Sequence, residues 1–168
     1  MPIAVRLADP ADDEFLRGLE AKTKKPSHFL RAMALRPDVL KNFVPLYGAV
    51  MGPGAVERRV KELVYLACSY ANECAYCTSV HLEGGKKAGI RLEEIEAIQT
   101  EQDHGFSEPE RAAIRYAREL TQTADAQESR AALLEHFSDE QIVEITLVAA
   151  MANFTNRFNN GLQIMPEG

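Results

Sequence analysis

The spacing of apolar residues is the feature that most restricts the fold of this chain, because it follows the helical period almost throughout. In the strongest stretch, the apolar residues recur at three- and four-residue intervals, as in Val60, Leu63, Val64 and Ala67. This interval places them on one face of an α-helix. No run of alternating polar and apolar residues bounded by turn signals indicates a strand. The sequence therefore predicts an all-α fold.

Helix start and stop signals divide the chain into predicted helices. Ser107 with Glu110 three places later fits a capping box, in which each side chain binds the other residue's backbone N–H. Ser138 with Gln141 repeats that pattern. In the first part of the chain, the signals predict a helix over residues 12–23, a helix that Ser27 caps and that ends before Pro37, and a helix from Pro37 through Tyr47. Further along, they predict helices over 55–70, 74–88, 91–100 and 107–123, and a last helix from 138 towards 158.

The bulk composition describes an ordinary globular domain. The 168 residues carry 19 Lys and Arg against 25 Asp and Glu, a net charge of −6 without an obvious basic face, which argues against nucleic acid as a partner. We see neither an export signal nor an apolar stretch long enough to cross a bilayer, and we expect a cytoplasmic protein without membrane contact. Three cysteines in a reducing compartment do not make a structural disulfide framework. Any disulfide here is expected to take part in chemistry.

Two cysteines and a histidine form the motif with the clearest chemistry. Cys74 and Cys77 lie three residues apart and His81 follows four later, so on a helix all three project from one stripe. The stripe starts at a predicted helix N-terminus, where free N–H groups and the helix dipole favour a thiolate. A nucleophilic thiol, a resolving thiol and an imidazole together suffice to make and break a disulfide.

Glu62 precedes Cys74 by twelve residues, and its role depends on the path of the chain between them. In one unbroken helix the two would be ~18 Å apart, too far for chemistry. If the chain reverses over residues 69–73, two antiparallel helices form a hairpin and Glu62 falls near the level of His81. A carboxylate beside an imidazole is the arrangement of a proton relay. We therefore predict the hairpin.

These residues resemble the motif of the alkylhydroperoxidase D (AhpD) and carboxymuconolactone decarboxylase superfamily. Its redox-active members carry Glu, eleven intervening residues, Cys, any residue, His or Tyr, Cys, three residues and His. All motif positions are filled at the right distance, by Glu62, Cys74, Tyr76, Cys77 and His81. The resemblance implies one AhpD-like helical domain over residues 1–168, with its core at about 27–160 and a central antiparallel hairpin that carries the cysteine pair.

The resemblance also implies a reaction, the thiol-dependent reduction of hydroperoxides. Cys77 would attack the peroxide, Cys74 would capture the resulting sulfenic acid as a disulfide, and Glu62 with His81 would deprotonate Cys77. The helix dipole alone would favour Cys74 as nucleophile, but His81 is four residues from Cys77 and seven from Cys74. Tyr76 stands where relatives often carry His, and we expect it either to donate its hydroxyl or to pack in the pocket.

Further partners follow from the same resemblance. No metal or organic cofactor is expected, since two thiols supply both electrons. A dithiol reductant, lipoyl-type or thioredoxin-like, would return the disulfide to thiols. A homo-oligomer, either a trimer or a hexamer, is expected.

Two other functions compete with the peroxidase. A decarboxylase-type lyase acting on a carboxylated lactone belongs to the same superfamily, although such enzymes typically lack the cysteine pair. A non-enzymatic redox-sensing or zinc-binding module is the other alternative. Zinc fits poorly, because Cys74 and His81 are separated by ~10.5 Å of helical rise, too far to share one ion.

Several other polar residues have structural interpretations. Cys68 lies in an apolar run and is predicted to be a small buried side chain. Asn153, Arg157 and Asn160 share a face of the last helix, where they would cap it, join subunits or border the pocket, with structural roles favoured.

Overall fold

The computed structural model describes residues 2–168, and within that range every regular element is helical. A short 3₁₀ turn, Pro10–Asp12, precedes nine α-helices. These are α1 (Glu14–Thr23), α2 (His28–Met33), α3 (Pro37–Met51), α4 (Arg58–Ala71), α5 (Ala75–Lys87), α6 (Leu92–Gln99), α7 (Glu108–Thr123), α8 (Arg130–His136) and α9 (Asp139–Leu162). The predicted all-α fold is confirmed. No helix in the described part of the chain is long and apolar enough to cross a membrane.

Helix α4 lies at the centre of the bundle, packed against α5, α7 and α9. Residues 60–69 are all buried, including the polar Lys61, Glu62 and Ser69. A helix that is enclosed on all sides has no face exposed to water. Polar side chains at these positions therefore need partners inside the protein.

The chain reverses between α4 and α5, as the sequence predicted. Asn72 ends α4, and Glu73 adopts a left-handed backbone conformation with φ of 51°. Cys74 then caps α5, with its sulfur accepting a hydrogen bond from the backbone N–H of Cys77. The resulting antiparallel hairpin places the side chains of two helices, distant in sequence, at the same depth in the bundle.

Side chains of helix α9 form hydrogen bonds with this turn. The side chain of Asn72 donates to Asn153 at 2.9 Å and accepts from Arg157 at 3.3 Å, while Asn160 donates to the Asn72 carbonyl at 2.7 Å. These contacts give Asn153, Arg157 and Asn160 a structural role: they bind the hairpin turn to the last helix.

The sequence prediction placed some helix bounds wrongly. Helix α4 begins at Arg58 rather than near residue 55, because side chains of α9 bind the preceding backbone: Glu144 accepts from Val56 N–H and Gln141 donates to the Ala55 carbonyl. Helix α9 continues to residue 162, beyond the predicted end. Helix α8, with seven residues and without a side-chain cap, was not predicted.

Lys61 anchors the segment between α3 and α4 from inside the protein. Its side chain is 1% exposed, and its ammonium donates to the carbonyls of Val50 and Gly52 at 2.9 and 2.7 Å and to Glu144 at 3.0 Å. The lysine thereby satisfies carbonyls at the C-terminal end of α3, which a helix leaves without intrahelical partners. It joins α3, α4 and α9.

We expect Lys61→Ala to lower the free energy of unfolding by ~3–5 kcal/mol, because it leaves a partly buried carboxylate without its cation and two carbonyls without the lysine donor. Urea denaturation of the variant measures the loss. The exposed Lys41 of α3 supplies the control, and Lys41→Ala should change stability by no more than ~0.5 kcal/mol. Equal stability of the two variants would contradict the anchoring role.

Candidate active site

The two motif cysteines lie at the start of α5 and form a disulfide, with their Cα atoms 5.4 Å apart. Cys77 is 3% exposed and lines a cavity that is partly open to solvent. Cys74 has no exposed surface, and it does not appear among the cavity-lining residues that the structure describes. A small molecule in the cavity would therefore meet the sulfur of Cys77 first.

The cavity has a volume of about 380 Å³ and a predominantly apolar wall. Helices α1, α2, α3, α4, α5 and α9 all contribute to it. Aromatic rings form much of the lining, while hydroxyl, amide, imidazole and thiol groups supply the polar positions. The lining residues are Leu19, Lys22, Thr23, Ser27, Phe29, Leu30, Phe43, Val44, Tyr47, Tyr65, Tyr76, Cys77, Val80, His81, Thr155 and Asn159. Such a cavity suits an apolar small molecule held by a few polar groups.

Glu62 and His81 meet at the depth of the hairpin that the sequence analysis predicted. The carboxylate Oε2 of Glu62 lies 2.7 Å from Nδ1 of His81, and the two residues are 0% and 5% exposed. An ionised carboxylate only accepts hydrogen bonds, so Nδ1 carries the proton of a neutral ring and Nε2 presents a lone pair. Glu62 thereby fixes the tautomer and orientation of the imidazole.

Two opposing effects set the charge of Glu62. Burial raises the pKa of this carboxyl, but hydrogen bonding and charge attraction from His81 and Arg58 outweigh burial, so the pKa falls below its ordinary value. Arg58, one helical turn earlier, donates from Nε to Oε1 at 2.8 Å. Glu62 is therefore an anion near neutral pH, with one oxygen bound to each partner.

Two tyrosines also hold the imidazole of His81: one stacks on the face of the ring and the other contacts Nε2. Tyr65 stacks on the ring, with centroids 3.6 Å apart and planes inclined by 17°, and its hydroxyl hydrogen-bonds to Thr155. The hydroxyl of Tyr47 lies 3.3 Å from Nε2. Side chains of α3 and α4 thus hold His81 of α5 in one orientation at the cavity wall.

Asn159 on α9 contacts the sulfur of Cys77 directly. Its amide nitrogen lies 3.2 Å from Sγ, while its buried carbonyl Oδ1 has no hydrogen-bond partner among residues 2–168. An amide offers donors at one end and an acceptor at the other. The nitrogen can stabilise a thiolate at Cys77, and a rotated amide can accept the proton of a thiol. Asn159 thus suits both protonation states of Cys77.

Tyr76, the second of the two residues between the motif cysteines, also lines the cavity, but its hydroxyl is bound elsewhere. It lies 2.9 Å from Ser27 Oγ and 3.2 Å from the carboxylate of Glu167 near the C-terminus. Burial raises the pKa of Tyr76 to about 12. The ring therefore packs in the wall with its hydroxyl tied to residues outside the cysteine and histidine cluster.

Cys68 is separate from this cluster. It is free, has no exposed surface, and burial raises the pKa of its thiol to about 12. The prediction of a buried structural cysteine is confirmed. In the described residues 2–168, no three side chains of His, Cys, Asp or Glu converge as ligands of one metal ion would.

The structure adds four residues that sequence reasoning missed. Arg58 carried a usable signal, since it lies four residues before Glu62 on a predicted helix, the spacing of a helical ion pair. Asn159 adjoins Asn160, which the sequence analysis did single out. Tyr47 and Tyr65 carried no signal, because their roles depend on how α3 and α4 pack around His81.

Comparison with known proteins identifies the family of this chain. The model of the carboxymuconolactone decarboxylase family matches residues 37–119, which run from α3 through most of α7 and include the whole motif. The chain belongs to the AhpD and carboxymuconolactone decarboxylase superfamily. Its Bacillus subtilis relative, the uncharacterised protein YdfG, is 26% identical over 109 residues, covering 62% of this chain and 74% of YdfG.

Solved structures share the fold over nearly the whole chain. A peroxidase-related protein with an AhpD core from Ralstonia eutropha JMP134 superposes with a TM-score of 0.85 at 22% identity, covering 99% of this chain and 94% of that one. The debrominase Bmp8, in a complex with 2,3,4-tribromopyrrole, superposes with a TM-score of 0.84 at 20% identity, covering 100% and 94%. Proteins that share this fold therefore include a debrominase as well as a peroxidase-related protein.

A glycine makes room for the buried carboxylate. A Cβ atom at Gly84 of α5 would lie 2.7 Å from Oε1 of Glu62, closer than real Cβ contacts. We expect Gly84→Ala to lower the free energy of unfolding by ~1–3 kcal/mol, because Glu62 must leave its positions beside Arg58 and His81. Urea denaturation in one fixed redox state measures this change.

Gly18 in α1 provides the matched control, since a Cβ there would meet no atom within 4 Å. Gly18→Ala should raise stability by ~0.5–1 kcal/mol through the lower backbone entropy of alanine. If Gly84→Ala were as stable as Gly18→Ala, the carboxylate would not be held in place as described.

Proposed function

We propose that this protein is a thiol-dependent peroxidase that reduces organic hydroperoxides with its Cys74 and Cys77 pair. The Cys77 thiolate attacks the terminal peroxide oxygen, the O–O bond breaks, and an alcohol leaves after protonation. The Cys74 thiol then displaces water from the Cys77 sulfenic acid and forms the disulfide. A dithiol donor returns both cysteines to thiols and is itself oxidised to a disulfide.

One observation carries the proposal: Cys77, bonded to the enclosed Cys74, lies at the wall of an apolar cavity that the imidazole of a buried Glu62 and His81 pair also lines. The position of Cys77 on that wall supports its role as the attacking residue, and the enclosed Cys74 suits the resolving role. The 3.2 Å contact from Asn159 to Cys77 Sγ supports the same assignment, because an N–H donor stabilises a thiolate.

Proton handling falls to His81 and Glu62 in this proposal. His81 accepts the Cys77 proton at Nε2 and becomes an imidazolium, which the Glu62 carboxylate stabilises through Nδ1. The lowered pKa of Glu62 keeps it charged, so it orients and stabilises the ring without taking the proton. Tyr76 contributes to the cavity wall.

Several further features belong to the same proposal. A lipoyl-type or thioredoxin-like dithiol serves as reductant, and the reducing cytoplasm is the fitting compartment for a thiol pair that must be regenerated. A homo-oligomer, trimeric or hexameric, is proposed, and exposed apolar side chains on α3 and α9, among them Leu46, Leu147 and Phe154, provide surface for such contacts.

Counting thiols tests the proposal. Fully reduced protein has three, and one equivalent of tert-butyl hydroperoxide should leave one, the buried Cys68, because the other two form the disulfide. Cys77→Ser should keep both of its remaining thiols, whereas Cys74→Ser should accumulate a sulfenic acid at Cys77. Ellman titration and mass spectrometry measure these outcomes.

Cys68→Ala is the matched control and should go from two thiols to none. Oxidation of Cys77→Ser at the wild-type rate would overturn the assignment of the attacking residue. Wild-type protein that keeps all three thiols would overturn the peroxidase itself, and stoichiometric oxidation without turnover by a dithiol would favour the redox-sensing alternative.

Reductive dehalogenation is the second candidate, favoured by the aromatic cavity lining and by the likeness to a debrominase. In that reaction the two thiols again supply two electrons. The ring carbon exchanges bromine for hydrogen, bromide leaves, and the cysteine pair becomes a disulfide. The same cysteine pair would therefore catalyse this reaction, with a brominated ring in place of a peroxide as the electron acceptor.

Incubation of the reduced protein with 2,3,4-tribromopyrrole separates the two candidates. Debromination would release one bromide for each disulfide formed and would require Cys77, as ion chromatography of wild type and Cys77→Ser would show. Absence of bromide together with rapid oxidation by tert-butyl hydroperoxide would eliminate this candidate and retain the peroxidase.

A decarboxylase acting on a carboxylated lactone has less support. Lys22 is the sole Lys or Arg among the cavity-lining residues in the described part of the chain, and Arg58 is already paired with Glu62. A substrate with several carboxylates would find few cations there. Lactone turnover that survives Cys77→Ser would nevertheless establish the lyase.

A further inference from the structure

Tyr47 is a cavity-lining hydroxyl to which the steps above give no role. It projects from α3, with its oxygen 3.3 Å from Nε2 of His81 and its ring edge-on to Tyr65 at 6.4 Å between centroids. Its hydroxyl has no other hydrogen-bond partner among residues 2–168. Tyr47 therefore lies between Nε2 of His81 and the open space of the cavity.

The direction of the hydrogen bond between Tyr47 and His81 depends on the charge of the imidazole. In the neutral ring, Nδ1–H is committed to Glu62, so Nε2 accepts from the Tyr47 O–H. Nε2 has one lone pair, so the Tyr47 O–H must turn away as His81 takes a proton from Cys77. Both ring nitrogens are then donors, and Nε2–H points at the Tyr47 oxygen. The phenolic proton is then free to turn towards the cavity at the moment when Cys77 is a thiolate.

Peroxide cleavage creates a need for that proton. When the thiolate attacks the terminal oxygen of ROOH, the other oxygen leaves as a strongly basic alkoxide. An apolar cavity does not solvate this anion, so its formation without an acid is costly. A general acid positioned at the leaving oxygen lowers this barrier.

We propose that Tyr47 is the general acid that protonates the leaving alkoxide, an inference that rests on the peroxidase proposed above. As the O–O bond breaks, Tyr47 gives its proton to RO⁻ and takes one from His81 Nε2, which returns to the neutral ring. The proton that left Cys77 thus reaches the alcohol through His81 and Tyr47. Cys77–SH and ROOH become Cys77–SOH and ROH, with atoms and electrons balanced.

Other hydroxyl groups at the cavity suit this task less well. The hydroxyl of Tyr65 is bound to Thr155, and that of Tyr76 to Ser27 and Glu167. Neither of these two hydroxyl groups is hydrogen-bonded to a nitrogen of His81. Burial raises the pKa of Tyr47, so it keeps its proton until a strong base such as an alkoxide forms beside it. Tyr47 alone among them joins the histidine to the cavity.

Peroxides with leaving groups of different basicity test the inference. The probes are tert-butyl hydroperoxide, whose leaving oxygen is an alkoxide, and peracetic acid, whose leaving acetate needs no proton. Tyr47→Phe should slow oxidation of the cysteine pair by tert-butyl hydroperoxide about 100-fold and should alter the reaction with peracetic acid by no more than about threefold. Stopped-flow measurement on reduced protein gives both rate constants.

Tyr70→Phe removes a hydroxyl from the end of α4, outside the cavity lining, and should leave both rates unchanged. An equal loss with both peroxides in Tyr47→Phe would indicate a structural role and overturn the inference while the peroxidase stands. Unchanged rates with both would do the same. Wild-type protein that reacts with neither peroxide would overturn the peroxidase, and the general acid with it.

A measurement on wild type alone keeps the inference testable if Tyr47→Phe does not fold. The ratio of rate constants for peracetic acid and tert-butyl hydroperoxide should be smaller for the protein than for the thiolate of N-acetylcysteine, because an internal acid helps only the basic leaving group. A ratio equal to that of the free thiolate would overturn the inference.

Discussion

The hydrogen bond between Glu62 and His81 is the interaction around which this molecule is arranged. A carboxylate without exposed surface is tolerated only when it is paired, and both of its partners, Arg58 and His81, are present. The pairing requires that α4 and α5 run antiparallel and that Gly84 carry no side chain where the helices meet. The turn at Glu73 and the hydrogen bonds that attach it to α9 hold α4 and α5 in this antiparallel arrangement. The chemistry of the site and the architecture of the bundle thus share one constraint.

Buried polar groups elsewhere in α4 follow the same logic. Lys61, next to Glu62 in sequence, projects from a different side of the helix, ~100° away, and binds both α3 and α9. One central helix thus carries Glu62, which binds His81 at the cavity wall, and Lys61, which binds α3 and α9. Since α3 also carries Tyr47, the anchoring of its end by Lys61 helps to hold the wall of the cavity in place.

Much of this arrangement could be predicted from sequence, because its signals are local. The helical period, the capping boxes at Ser107 and Ser138 and the spacing of the motif identified the fold and the hairpin. Tyr47, Tyr65 and Asn159 could not be found this way, since they reach the site from separate helices through packing that no local pattern encodes. The start of α4 was misplaced for a similar reason: side chains of α9, more than 80 residues away, bind the backbone before it.

The enclosure of Cys74 has a consequence for how the oxidised protein would be recycled. If the cavity is the route to the sulfur pair, an incoming thiol must attack Cys77 and expel Cys74, whose sulfur already accepts a backbone N–H and is thereby suited to leave as an anion. Oxidant and reductant would then occupy the same cavity of about 380 Å³ in turn and exclude each other. A donor bearing its dithiol on a slender flexible arm meets this demand better than one presenting it on a broad folded surface.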